Sequence, residues 1–323
     1  MMTTKRHILN AAVIAATAAA LASCEHKELC YDHVHNAPVN VVFDWTNAPD
    51  ASPAGMNLYF YPVEGGEPIW FGLSGRDGGR IDIPDGTYDV VAVNTDSETA
   101  LFRGTDSFAS FEIYTREASV LEGLGLMTTS RGPMAAGTED ETVSLAPDLI
   151  YNGKLATVEI PYTREPVTIT IPVDEAVSNY TFDIINVDNL KYVSSMSASL
   201  SGMSGSYLAG QDVCTPGAHT VPFGAAANGE TTISGQFYTF GHCPDADKTA
   251  SGRKHIFVLY VVQSDGKQVY YTFDVTDQVH GAKDPDNVHI LIDGLSLPKP
   301  IVNGSGMHPS VDGWENEDVD ITM

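Results

Sequence analysis

His255-Ile256-Phe257-Val258-Leu259-Tyr260-Val261-Val262-Gln263-Ser264-Asp265-Gly266-Lys267-Gln268-Val269-Tyr270-Tyr271-Thr272-Phe273-Asp274-Val275 is the stretch that decides the fold. Two apolar runs rich in β-branched and aromatic residues, 255–263 and 267–275, flank Ser264-Asp265-Gly266. An Asp-Gly pair tolerates the positive φ angles of a tight turn, so the spacing predicts an antiparallel hairpin. The same pattern recurs along the chain. Residues 40–45, 56–61, 88–93, 108–114, 157–162 and 167–173 are β-branched or aromatic, and many alternate with polar residues as half-buried strands do. Turn clusters separate them, at Glu64-Gly65-Gly66, Gly75-Arg76-Asp77-Gly78-Gly79 and Pro84-Asp85-Gly86. Almost nothing has helical spacing, and the chain reads as all-β.

Ile81-Asp82-Ile83-Pro84-Asp85-Gly86-Thr87-Tyr88-Asp89-Val90-Val91-Ala92-Val93-Asn94 is a compact unit: a strand end, a Pro-x-Gly turn, then a strand with Tyr88, Val90 and Ala92 on one face. Such units suit β-sandwiches. A first sandwich is expected over 38–163, closed by the polar, proline-bearing link Thr163-Arg164-Glu165-Pro166. A second is expected over 164–298, with Val288-His289-Ile290-Leu291-Ile292 as its last core strand. Leu297-Pro298-Lys299-Pro300 stops it, and 299–323 reads as an acidic tail holding Trp314. Residues 123–141 and 224–230 are rich in small and polar residues and read as loops.

The amino terminus carries a different message. Lys5, Arg6 and His7 precede an apolar run from Ile8 to Leu21 that is short for a membrane span, and Leu21-Ala22-Ser23-Cys24 follows. This arrangement resembles a bacterial lipobox. Residues 1–23 are then a signal peptide, Cys24 is the acylated first residue carrying palmitate-type chains, and 24–37 is a tether. Each buried methylene contributes about 0.8 kcal/mol, so two or more chains hold a protein at a bilayer without any membrane-crossing helix.

Composition narrows the partners. The chain has 17 Lys+Arg against 42 Asp+Glu, a net charge of −25. Loss of Lys5 and Arg6 with the signal leaves 15 cations against the same 42 acids, or −27. Such a surface repels polyanions, and nucleic acid is excluded as a partner. The remaining length, about 300 residues, suits two cores rather than one. Beyond Cys24 the cysteines are Cys30, Cys214 and Cys243. In an oxidising compartment pairing is the default. Cys214 with Cys243 is the expected bridge, contributing about 3–4 kcal/mol on the loop-entropy account.

Several constellations have a chemical and a plain reading. Cys30-Tyr31-Asp32-His33-Val34-His35, with His26 nearby, offers metal ligands, but the spacing matches no established site and a packed tether explains it equally. Asp284-Pro285-Asp286-Asn287 and the acids Asp312, Glu315, Glu317, Asp318 and Asp320 offer oxygen ligands for calcium. Neither follows the twelve-residue loop, and a turn and a solvated tail are the simpler readings. Gly202-Met203-Ser204-Gly205-Ser206 lacks nucleophile-elbow spacing, and no phosphate loop or dinucleotide fingerprint occurs. No catalytic residue, metal or cofactor is expected. Trp45, Trp70, Phe71 and Trp314 could stack on sugar rings. Trp45 fits the core, whereas one of the adjacent Trp70 and Phe71 must face outward, making these two the candidate ligand residues for a glycan.

The run Leu21-Ala22-Ser23-Cys24-Glu25-His26-Lys27-Glu28-Leu29-Cys30-Tyr31-Asp32-His33, the turn Pro84-Asp85-Gly86-Thr87-Tyr88 and the segment Asp312-Gly313-Trp314-Glu315 together resemble a family of Bacteroidetes outer-membrane lipoproteins related to fimbrial anchor subunits. The resemblance implies two tandem transthyretin-like β-sandwich domains, a lipidated end in the outer membrane on a face left open, and a non-enzymatic role at the base of a fimbrium. It also implies fimbrial partners held by strand addition. A surface glycan-binding lipoprotein is the alternative. Stalk subunits of such fimbriae look as if they mature by cleavage after an arginine that frees the first strand. Here no arginine occurs between Cys24 and Arg76, so the first sandwich should stay closed. Residues 301–323 or an edge strand of the second sandwich are the expected partner surfaces.

Overall fold

The computed structural model describes residues 35–125, 131–242, 253–300 and 313–317. Its first half comprises β1 (Asn36–Asp44), β2 (Gly55–Pro62), β3 (Ile69–Ser74), β4 (Gly79–Pro84), β5 (Gly86–Asn94), β6 (Leu101–Arg103), β7 (Glu112–Tyr114), β8 (Thr142–Val143), β9 (Tyr151–Ile160) and β10 (Val167–Glu175). The second comprises β11 (Ser178–Asp188), β12 (Val193–Ser204), β13 (Ser206–Leu208), β14 (Val213–Cys214), β15 (Ala218–Gly224), β16 (Ala226–Ala227), β17 (Ile233–Thr239), β18 (Ile256–Gln263), β19 (Gln268–Asp274), the short helix α1 (Thr276–His280), β20 (Asn287–Ser296) and β21 (Trp314–Asn316). The all-β patterning is realised as two sandwiches.

The two halves repeat one strand order. In the first, β3-β2-β5-β9 forms one layer and β4-β1-β10 the other; in the second, β15-β12-β18-β19 faces β17-β11-β20. In both, the first strand runs parallel to the last, β1 with β10 and β11 with β20. The layers enclose separate cores. Val39, Val41, Phe43, Leu58, Phe60, Val90 and Ile171 fill the first, and Tyr180, Phe182, Leu200, Phe223, Phe257, Leu259 and Ile290 the second. Period-two burial along β10 and β20 matches one inward face on each. Strand β18 differs, because nearly every residue is buried. Phe257, Leu259 and Val261 enter the second core, while Val258 and Tyr260 meet Val120, Leu121, Ala135 and Val143 on the other side. A strand covered on both faces must be apolar throughout, which explains its unbroken hydrophobic run.

The hairpin expected at Asp265-Gly266 forms between β18 and β19, with Gly266 at φ +86°. The link Thr163–Pro166 is not a boundary between the sandwiches. It joins β9 to β10 within the first, where residues 167–172 pair with β1 and residues 173–175 with β9, so β10 passes from one layer to the other. The passage to the second half is Ala176-Val177, both buried. Residues 108–114 are not one strand either. Phe108–Ser110 form a 3-10 turn, and only Glu112–Tyr114 extends as β7.

A further sheet, β14-β13-β7-β6, takes two strands from each half. Beneath it Val91, Val93, Phe111, Ile113, Ile150, Val177, Tyr207 and Phe240 share a core. The described residues of the two halves, from Asn36 onward, are therefore packed into one compact unit.

Candidate attachment strand, sheet edges and side-chain clusters

Cys24, the signal peptide and Cys30 lie outside the described residues, as do His26 and His33. The described chain begins at His35 and enters β1 at Asn36, twelve positions after Cys24. Ala37 and Val39 are fully buried. β1 pairs antiparallel with β4 from Asn36 to Val41 and parallel with β10 from Val39 to Asp44. The first strand among the described residues is thus internal to its layer. Arg76 is built into the first half. Its carbonyl accepts the Trp45 indole N–H at 2.8 Å, and its guanidinium donates to the Ala51 carbonyl at 2.7 Å. Trp45 is in the core, as its strand position requires.

The sheet edges of the two halves are treated differently. β3 is the open edge of its layer, with Ile69, Phe71 and Leu73 turned inward and Trp70 outward. Phe71 meets Phe60 edge-on at 5.8 Å, so it belongs to the core and cannot face a ligand. Trp70 is 56 % exposed. In the second half the corresponding strand β15 is covered by β8, and β19 by β21. β21 places Trp314 edge-on to Tyr260 at 5.6 Å, while Lys267 reaches Glu315 at 3.2 Å and Glu317 at 2.8 Å. This described part of the acidic tail is a strand in its own sheet. Trp314 is a packing residue. At β20, the Gln278 amide donates to the Leu291 carbonyl at 2.9 Å and accepts the Leu291 N–H at 2.8 Å, occupying the edge as a strand would. β17 meets β16 only at Ile233 and Ser234. Among the described residues, 235–239 have a ladder partner on the β11 side alone.

A cleft of about 610 Å³ opens between the halves, lined by Asp174, Glu175, Asp212, Cys214, Phe240 and Asp286 among others. Burial pushes the Glu175 carboxyl above its usual range, reinforced by the Asp286 charge. The carboxylates of Asp284 and Asp286 serve a turn: Asp284 accepts the Asp286 N–H at 3.1 Å and the Asn287 amide at 3.0 Å. Asp286 also accepts the Ser178 hydroxyl at 3.3 Å. Cys214 Sγ lies 2.6 Å from the Phe240 carbonyl, beside the segment that leads to Cys243, which itself falls outside the described residues.

Three imidazoles not singled out in the sequence converge where β17 ends, β18 begins and α1 ends. His255 is 1 % exposed and donates from Nδ1 to the Ser201 carbonyl at 3.0 Å. Its Nε2 lies 3.1 Å from His280 Nε2. The His242 ring centroid is 5.8 Å from that of His255 and 5.6 Å from that of His280. One ligand nitrogen from each of the three lies within 4.8 Å of the others. Gly202 makes room for this packing, because at φ +77° it carries no Cβ where one would stand 2.8 Å from His255 Nδ1.

Residues 23–224 match the family model described as "Domain of unknown function (DUF5119)". A candidate fimbrium anchoring subunit, Fim4B, from Bacteroides ovatus is 24 % identical, with 92 % of this chain and 93 % of that protein covered. The crystal structure of a candidate adhesin from Bacteroides ovatus superposes with a TM-score of 0.60 at 23 % identity, over 86 % of this chain and 99 % of the other. The fimbrial anchor protein Mfa2 from Porphyromonas gingivalis gives a TM-score of 0.49 at 13 % identity, over 80 % and 90 % of the two chains.

Proposed function

The chain belongs to the DUF5119 family, and we propose that it is a non-enzymatic anchor subunit, moored in the outer membrane by acyl chains on Cys24 and holding fimbrial subunits through its second half. The observation that carries this reading is the placement of β1. A tether from Cys24 leads into a buried strand paired on both sides. Tension from a bilayer-held amino terminus acts at the start of β1, and tension from a partner on the second half acts at the end of β10. Because these strands are parallel, the opposed pulls load their ladder in shear, and its bonds must yield together rather than one at a time. The intact pairing of β1 also fits a subunit that keeps its first strand. For partner contact, residues 235–239 of β17 offer backbone groups to which an extended segment can add. The Cys214–Cys243 bridge remains part of the reading, supported by the position of Cys214 beside Phe240 and Gly241.

Cys24→Ser tests the proposal. The expected result is loss of the protein from the membrane fraction and shedding of fimbriae into the medium, whereas retention of both at the cell argues against it. Gentle detergent extraction of the parent protein should bring fimbrial subunits with it. A second reading, glycan binding, is favoured by one feature, the outward Trp70 on an open sheet edge. Saturable polysaccharide binding that collapses in Trp70→Ala, with fimbriae unaffected by Cys24→Ser, would put this reading first.

A further inference from the structure

We propose that His242, His255 and His280 form a binding site for one divalent transition-metal ion, with zinc as the fitting occupant, which ties the end of β17 and the start of β18 to α1. Zinc takes imidazole nitrogens at about 2.0–2.1 Å in tetrahedral sites, which puts two such nitrogens about 3.3 Å apart. The 3.1 Å between His255 Nε2 and His280 Nε2 is close to that separation. His255 is held as metal-bound histidines commonly are. Its Nδ1–H is taken by the Ser201 carbonyl, which fixes the ring and leaves the Nε2 lone pair aimed at the cluster.

The contact between His255 and His280 is compatible with a hydrogen bond as well as with a shared ion, and His242 completes the group, since one nitrogen of each ring lies within 4.8 Å of the others. His242 brings its ring centroid within 5.8 Å of that of His255 and 5.6 Å of that of His280, so three imidazoles surround one small space. Three nitrogen donors, with no carboxylate in the group among the described residues, make a poor site for calcium or magnesium, which take oxygen ligands, and a good one for zinc or copper. His242 and His280 are exposed, so an ion reaches the buried His255 from solvent. The three ligands among the described residues leave a fourth position of a tetrahedral site open.

The test is titration of the purified full chain, stripped with EDTA, with zinc chloride. The expected outcome is about one equivalent bound, a rise of several degrees in Tm, and no comparable rise with calcium or magnesium chloride. His242→Ala and His280→Ala alter exposed residues and should each weaken zinc binding by at least about tenfold, using the sensitivity of metal sites to their outer-shell partners as a lower guide. They should also abolish the Tm rise. His255→Ala removes a buried side chain and can fail for lack of folding, so the two exposed variants carry the test. A His33→Ala/His35→Ala double variant should bind as the parent does. Absence of zinc binding, binding indifferent to both exposed substitutions, binding lost in the His33/His35 variant, or an equal response to calcium each overturns the proposal.

Discussion

The two sandwiches share a strand order but close the same end in different ways. In the first half β4 passes to β5 through Asp85 alone, and Tyr88 pins the turn by donating its hydroxyl to the Pro84 carbonyl at 2.9 Å. In the second half the equivalent strands are β17, ending at Thr239, and β18, starting at Ile256. The ends of this longer connection carry His242 and His255, and the link from β19 to β20 adds His280. The edges diverge too, because β3 is open while β15 and β19 each gain a covering strand. One plan has thus been used twice, in a first unit that begins with β1 and passes from β4 to β5 through one residue, and in a second whose equivalent link is long. The lesson is that chemistry and contact surfaces are sought where the second copy departs from the first.

The two sandwiches can be uncoupled at their junction. Phe111 is fully buried under the junction sheet, edge-on to Tyr59 at 4.9 Å and 5.7 Å from Phe102. The parent protein should unfold in one transition, because the shared core couples the sandwiches. Phe111→Ala is expected to cost about 3–5 kcal/mol and to split unfolding into two steps, resolved by calorimetry or by urea denaturation followed with two probes. A single transition of unchanged midpoint would mean that the junction carries no coupling.

A smaller effect is expected at β21, which has no counterpart in the first half among the described residues. Trp314 is partly exposed and holds a three-residue strand, so Trp314→Ala should cost about 1–2 kcal/mol, below the cost of a full core deletion. Limited proteolysis should cleave the carboxy-terminal segment faster, while the first half keeps its protection. Equal protection in variant and parent would show that the strand is held by its Lys267 ion pairs and ladder instead.

Much of this fold can be read along the chain, and the failures have physical causes. Asp265-Gly266 and Pro84-Asp85-Gly86 are legible because backbone geometry at a tight turn depends on the turn residues themselves. Thr163-Arg164-Glu165-Pro166 misleads because a polar, proline-bearing link looks the same whether it joins two sandwiches or two strands of one. The parallel pairing of β1 with β10 joins segments more than a hundred residues apart, and no local pattern records it. Residues 108–114 read as a strand because Phe108, Phe111 and Ile113 are apolar, yet they serve a junction core that wants no alternation. The imidazole cluster was out of reach for a similar reason. His242, His255 and His280 match no established metal spacing and meet only once β17, β18 and α1 are in place. The one mark of it along the chain is His255 at the start of the expected strand 255–263.

The smallest of the effects tests the junction by pH. Glu112 on β7 receives a forked pair of hydrogen bonds from Arg103 on β6, at 2.6 and 2.5 Å, and one from Ser206 on β13 at 2.5 Å, so it links strands of both halves. The Arg103 hydrogen bonds hold its carboxyl below the usual range, against the opposing effect of burial and with help from Ser206. A carboxyl depressed in the folded state stabilises the fold above its unfolded pKa, and that stability is lost as pH falls through the folded value. Arg103 is 58 % exposed and its charge is partly screened, so the contribution is about 1 kcal/mol. Glu112→Gln should therefore lower stability by about that amount at pH 7. The gap to the parent should shrink as pH drops below about 4, where the parent carboxyl also becomes neutral. Denaturant midpoints measured across that range check it: a gap that stays constant would mean the cost comes from lost packing at the junction and not from the charge on Glu112.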